Sequence, residues 1–346
     1  MTFRPTLVLL TLLAGAGLAA PVRPAMAQAP PVTIKLATLV PEGSVWDKAL
    51  HGMGAEWSAS TQGRVQLRIY PGGVAGDEPD VVRKMRIGQL QAAAITTAGL
   101  AEIDPAFKLF GVPMFFESYD ELHAVLDKLE PVLKQRLEAK GFVLLNWGHG
   151  GWVHFFTRTP VNTVEDLKKL KIFVWAGDDR SVQMWKQNGF QPVALAATDI
   201  LTGLQTGMID AYPTTPLLAL TLQWYQATPH MVGVGLAPLV GGMVVTKQAW
   251  SKIAEADRAK VLAACKVAER KLLQDVPRQD TTAIVEMKRR GLDVTRVSPA
   301  AQAEWRAAAE AFATSLRGAM AAPEILDQAE RERNAYRQRM AAGGGH

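Results

Sequence analysis

The chain has a single cysteine, Cys265, among 346 residues. One thiol forms no internal disulfide and builds no thiolate metal site. It sits in "RAKVLAACKVAERKLL", where apolar residues recur at helical spacing, so it reads as a small buried hydrophobe. The six histidines show no HExxH spacing, and His149 and His154, five apart on a strand-like stretch, are sent to opposite faces by alternation. No G-x-S-x-G elbow occurs, which removes the platform for that class of serine hydrolase. "GGVAG" (72–76) lacks the lysine and hydroxyl of a phosphate loop and reads as a tight turn after a strand. No motif demands catalysis, a metal or a cofactor.

Charge of one sign is also scarce. The formal balance is +5, two units of which are Arg4 and Arg23 in the leader, and the remainder is too mild to argue for nucleic acid or an anionic membrane. A long apolar run is missing beyond the first residues. There, Arg4 precedes "TLVLLTLLAGAGLAA" (6–20), and Ala25-Met26-Ala27 offers a small-x-small cleavage pattern. This predicts an export signal over 1–27, cleaved after Ala27, and a soluble exported chain of about 319 residues. That length exceeds what one core usually organises, so two domains are expected.

What is present is an α/β alternation. "VTIKLATLV" and "RVQLRIY" alternate as strands, with a helix between them that Ser44 caps. "DEPDVVRKMRIGQLQAAAITT" gives a helix and a short buried strand. Two helical pieces separated at Pro131 follow, then "FVLLNWGHGGWVHFFTR" as one long strand with internal glycines. A second α/β unit starts at "TVEDLKKLKIFVW", continues through "DDRSVQMWKQNG" and "QPVAL", and reaches a helix, "TDILTGLQTGMID", capped by Thr198. "APLVGGMVVTKQAW" returns as a strand, and helices dominate from Ser251, with a strand near "LDVTRV". The expected architecture is a two-lobe α/β binding-protein fold with crossing hinge strands and long C-terminal helices. Lobe I takes 28–150 and roughly 237–275, lobe II takes 151–236 and roughly 276–340, and 341–346 forms a flexible tail.

"IKLATLVPEGSVWDKAL", "RVQLRIYPGGVAGDE", "TVEDLKKLKI" and "ATDILTGLQTGMIDA" together resemble the solute-binding proteins of TRAP (tripartite ATP-independent periplasmic) transporters, of the dicarboxylate-receptor type. The resemblance runs from Val32 to about Trp250. It implies a periplasmic receptor that closes on a small organic solute and hands it to TRAP-type membrane permease subunits. It also implies an arginine on the strand after "DLKKLK" that pairs with a substrate carboxylate, a task suited to a bidentate guanidinium. Phe173 stands at that position, His154 where a second arginine is common, and Thr214 and Thr215 in "YPTTP" near the place of an asparagine turn.

Three departures in one site point to a neutral, aromatic or cationic solute. Phe173, Trp175, Trp152, Trp147, Tyr212 and Trp224 are the expected ring faces. Asp178 or Asp179 is the expected balance for a positive charge, and Arg180 or Arg158 is the candidate substitute cation. A ligand-presenting module for a membrane sensor kinase can share this fold and is the alternative function; a secreted enzyme is the third.

Overall fold

The computed structural model describes Thr2, residues 30–319 and residues 322–343. The export signal, its cleavage point and the end of the tail lie outside the described residues apart from Thr2. Among the described residues no helix is long and apolar enough to cross a membrane.

The first sheet is built by β1 (Val32–Thr38), α1 (Val45–Ser60), β2 (Val65–Tyr70), α2 (Glu78–Arg86), β3 (Ala92–Thr96), α3 (Thr97–Ile103), α4 (Tyr119–Ala139) and β4 (Phe142–Trp152). The second begins with β5 (His154–Thr157), α5 (Val164–Lys168), β6 (Lys171–Trp175), α6 (Asp179–Gln187) and β7 (Gln191–Leu195). It continues through α7 (Ile200–Gln205), β8 (Ala211–Thr214), α8 (Pro216–Thr221) and β9 (His230–Val232). The chain then returns by β10 (Pro238–Thr246), α9 (Lys247–Ser251) and α10 (Glu255–Arg289) to β11 (Asp293–Thr295), α11 (Pro299–Ala319) and α12 (Pro323–Gly343). Strand orders are β2-β1-β3-β10-β4 and β11-β9-β5-β8-β6-β7. In the first sheet β1 pairs parallel with β2 and β3, while β10 lies antiparallel between β3 and β4.

Expected elements are present, with differences that have physical causes. The single strand expected over 142–158 is two strands in two sheets, broken at Val153. There Val153 exchanges backbone bonds with Leu236 and Ala237, both at 2.8 Å, so two segments cross between the sheets side by side. Pro131 does not divide α4, which runs unbroken for 21 residues. Leu122, Val125, Leu126, Leu129, Leu133 and Leu137 form a buried stripe through it, and that packing outweighs one lost helical bond. Thr198 does not cap the following helix: α7 starts at Ile200 with no side-chain cap bond. The last helix, expected with the second lobe, instead packs on α4 of the first. Ile325, Leu326 and Ala329 join that core, and Arg337 of α12 pairs with buried Glu121 at 2.5 Å.

A candidate solute cleft between two sheets

Five of the residues singled out by sequence share one face of the second sheet. His154 is opposite Thr214, and Phe156 opposite Tyr212, where β5 meets β8. The parallel pair Ile172–Ala211 then sets Phe173 beside Tyr212 and Trp175 beside Thr214. Phe156 stacks on Tyr212 at 5.7 Å between ring centroids, Trp224 meets Tyr212 edge-on at 5.3 Å, and Phe173 meets Trp175 edge-on at 5.3 Å. Leu39, from the end of β1 in the first sheet, packs into this same cluster. Phe173 is 2% exposed and belongs to this apolar cluster.

Polar links cross beside these rings. The turn after β2 brings Gly73, at φ +76°, so near the second sheet's loops that a Cβ there would lie 2.7 Å from Thr198 Cγ2. Asp77 follows and caps α2, accepting from Glu78 N at 2.7 Å. It also accepts from Ala197 N at 2.8 Å and Trp175 Nε1 at 3.3 Å, both in the second lobe. Lys108 Nζ reaches Asp178 Oδ2 at 2.7 Å. Burial alone would raise the Asp178 carboxyl, but bonds from Lys108 and Ser181 outweigh it and hold the group below its ordinary value. Asp178 is therefore already paired, and it caps α6 through Ser181 N at 3.1 Å.

The other expected residues lie elsewhere. Trp147 is in the core of the first lobe, its ring against Phe107 and Phe110 and its Nε1 donating to Glu130 at 2.8 Å. The face it was expected to offer is covered. Tyr212 is fully buried, with its hydroxyl 3.1 Å from Thr228 Oγ1. The ring of His154 turns to the strand beside it, with Nδ1 2.9 Å from Val232 O, and burial lowers its pKa. Arg158 donates to Leu204 O and pairs with Asp210 at 3.5 Å, at the far end of β5 from His154. Arg180 is exposed in the first turn of α6. Neither arginine sits among the rings around Phe173.

Three residues that sequence reasoning passed over complete the region: Asp77, Lys108 and Asp280. Asp280 is 7% exposed on α10 and bridges the crossing. Its Oδ2 accepts from Trp152 N at 3.1 Å and its Oδ1 from Leu217 N, at the start of α8, at 2.8 Å. Gly151, at φ +106°, makes room, since a Cβ there would meet Oδ2 at 2.7 Å. Burial pushes the Asp280 carboxyl up to about 6, against the two backbone donors. A signal for it existed. Val276, Asp280, Ala283 and Met287 form the buried stripe of α10, and an acid in such a stripe is out of place unless something holds it.

Trp152 stands edge-on to Tyr119 at 5.4 Å, and His149 edge-on to His123 at 5.3 Å, between β4 and α4. Burial, then His123 and Lys266, push His149 down to about 4. The native state thus keeps this imidazole neutral where the unfolded chain takes up a proton near pH 6.5. Its contribution is intact above about 6.5 and lost as pH falls toward 4. His149→Phe is expected to flatten that loss; urea midpoints of both proteins at pH 7.5 and 5 check it, and an equal fall in both refutes it.

Among the described residues no group of three or more His, Cys, Asp or Glu side chains is placed to hold a metal ion. The profile of DctP, the bacterial extracellular solute-binding proteins of family 7, matches residues 36–316. The chain belongs to this family. Its DctP relatives include a solute-binding protein of Chromohalobacter salexigens, 28% identical over 222 residues, covering 62% of this chain and 64% of that one. The 2,3-diketo-L-gulonate-binding periplasmic protein YiaO of Escherichia coli is 30% identical over 153 residues, 44% of this chain and 46% of that one. The chain thus matches less than two thirds of the length of either.

Among solved structures, the sugar acid binding protein DctPAm of Advenella mimigardefordensis, in complex with galactonate, superposes with a TM-score of 0.82 at 17% identity. The match covers 88% of this chain and 99% of that one. A TRAP periplasmic solute binding protein of Xanthobacter autotrophicus with bound β-D-galacturonate gives 0.80 at 22%, covering 87% and 99%. These likenesses show the shared two-lobe α/β fold. The family is one of binding proteins, not enzymes.

Proposed function

We propose that this chain is a periplasmic receptor that closes its lobes over a small organic solute and delivers it to the permease subunits of a TRAP-type transporter. Family membership and the two-sheet fold with a double crossing support the receptor role. The solute we propose is neutral, aromatic or cationic, held against Trp175 and the neighbouring ring face, rather than a simple carboxylate.

The observation that carries this choice is the surroundings of Phe173. Where the resemblance implies a guanidinium, there is a ring edge-on to Trp175, in an apolar cluster that Leu39 packs against. Arg158 and Arg180 do not take its place, and Lys108 is engaged by Asp178. A carboxylate buried there without a cation costs several kcal/mol, a thousandfold or more in affinity. The solved relatives with galactonate or galacturonate support a small organic solute, while the local chemistry argues for a different charge.

A thermal-shift panel of acids, amines, polyols and aromatics on the mature protein tests the reading. Stabilisation by neutral, aromatic or cationic compounds, with pyruvate, lactate and succinate inert, is the expected result. Micromolar calorimetric binding of any of those three acids, without added metal, overturns the choice of solute but not the receptor role.

A further inference from the structure

Resting on that receptor reading, we propose that Asp280 is the charge-selecting residue of the cleft, and that the solute carries an ammonium group that it receives. Among the described residues no lysine, arginine or histidine side chain pairs with this buried carboxylate. Its partners are two backbone N–H groups, one on each oxygen, and a carboxylate offers about four acceptor positions. A buried charge is ordinarily paired. Asp178, the acid expected from sequence to balance a cation, is already held by Lys108 and Ser181. Asp280 is not.

The position is right for selection. The residues it holds, Trp152 and Leu217, belong to the crossing and to the start of α8 in the second lobe, so the carboxylate lies where the lobes meet. Tyr119 and Trp152 stand edge-to-face beside it, and ring faces attract ammonium groups. Its field reaches Tyr119: burial, then Asp280, raises the phenol above its ordinary value. Two residues before Leu217, the Thr215 hydroxyl is fully buried with no hydrogen-bond partner. Aromatic faces, an orphaned hydroxyl and a carboxylate with no cationic side chain paired to it among the described residues together suit an ammonium-bearing solute.

The test uses the whole mature protein and matched probes. Choline, ethanolamine and arginine are compared with 3,3-dimethylbutan-1-ol, the neutral isostere of choline, and with succinate, by thermal shift and calorimetry. The expected result is stabilisation by at least one ammonium compound and not by the isostere, with a loss of tenfold or more in its affinity in Asp280→Asn. Should Asp280→Asn fail to fold, Tyr119→Leu, which leaves both backbone bonds of Asp280 intact, is expected to weaken ammonium binding severalfold. Ammonium binding unaltered in both variants overturns the proposal, as does a panel in which no ammonium compound stabilises the protein at millimolar concentration. Stabilisation by neutral or aromatic solutes alone would defeat the proposal and leave the receptor reading standing; no stabilisation by any solute would count against both.

Discussion

Phe173→Arg is expected to destabilise the protein by about 3–5 kcal/mol and to weaken its solute at least tenfold. The ring it removes is 2% exposed and packs with Trp175, Tyr212, Leu39 and Ile200 in one cluster. Losing those contacts is comparable to a large-to-small change in a core. The incoming guanidinium adds a desolvation cost among these apolar side chains, and the nearby Asp77 carboxylate already accepts from Glu78 N, Ala197 N and Trp175 Nε1. A long stem offers one escape, with the charge swinging out of the cluster and disturbing its packing with Leu39. That route separates the lobes, so affinity falls on either path. Phe173→Leu controls for size and should lose much less. Urea unfolding and calorimetry on the three proteins decide the matter. A midpoint for Phe173→Arg equal to that of Phe173→Leu would mean that the arginine finds a partner, and that the site still works as an anion clamp.

The sequence made the scaffold readable because its signals are local. Alternation marks β1 and β2, and Ser44 caps α1 through Asp47 N as its position suggests. Within a strand alternation pairs Phe173 with Trp175 and Tyr212 with Thr214, but only the register of β5, β6 and β8 brings them and His154 to one face. Depth does not follow from parity. Trp147 and Trp152 are five residues apart in the same strand, yet one is enclosed by Phe107 and Phe110 while the other stands at the crossing. What separates them is α4 and the return of β10, which no local pattern encodes.

The break at Val153 was hidden for a related reason. Both sides of it are strand, and only the partner strands differ. The acids show the same limit. Asp178 announces itself beside a glycine at a strand end, where it proves to be a helix cap with a lysine from 70 positions away. Asp280 is 128 positions from Trp152, and its role exists only because α10 passes under the crossing. Long-range pairing decides which acid is free, and composition cannot reveal it.

Asp77 should control closure. Its Oδ2 holds Ala197 N and its Oδ1 reaches Trp175 Nε1, both across the cleft, while Oδ1 also caps α2. Charged hydrogen bonds of this kind contribute about 1.5–3 kcal/mol each, and removing the acceptor leaves the Ala197 amide without a partner in the closed form. Asp77→Ala is therefore expected to move the lobe equilibrium toward open by about 2–3 kcal/mol. A solute that binds only the closed form then loses affinity in proportion to the closed fraction, between tenfold and a hundredfold. Loss of the cap is a separate, local cost of about 1 kcal/mol. Asp77→Ser separates the two, because its hydroxyl can still cap α2 but is too short to hold both groups across the cleft. The expected result is an enlarged radius of gyration without solute in both variants, with a lower urea midpoint mainly in Asp77→Ala. Unchanged scattering and affinity in Asp77→Ser would assign Asp77 to the helix cap alone and leave closure to the Lys108–Asp178 pair and the packing of Leu39 on the Phe173 cluster.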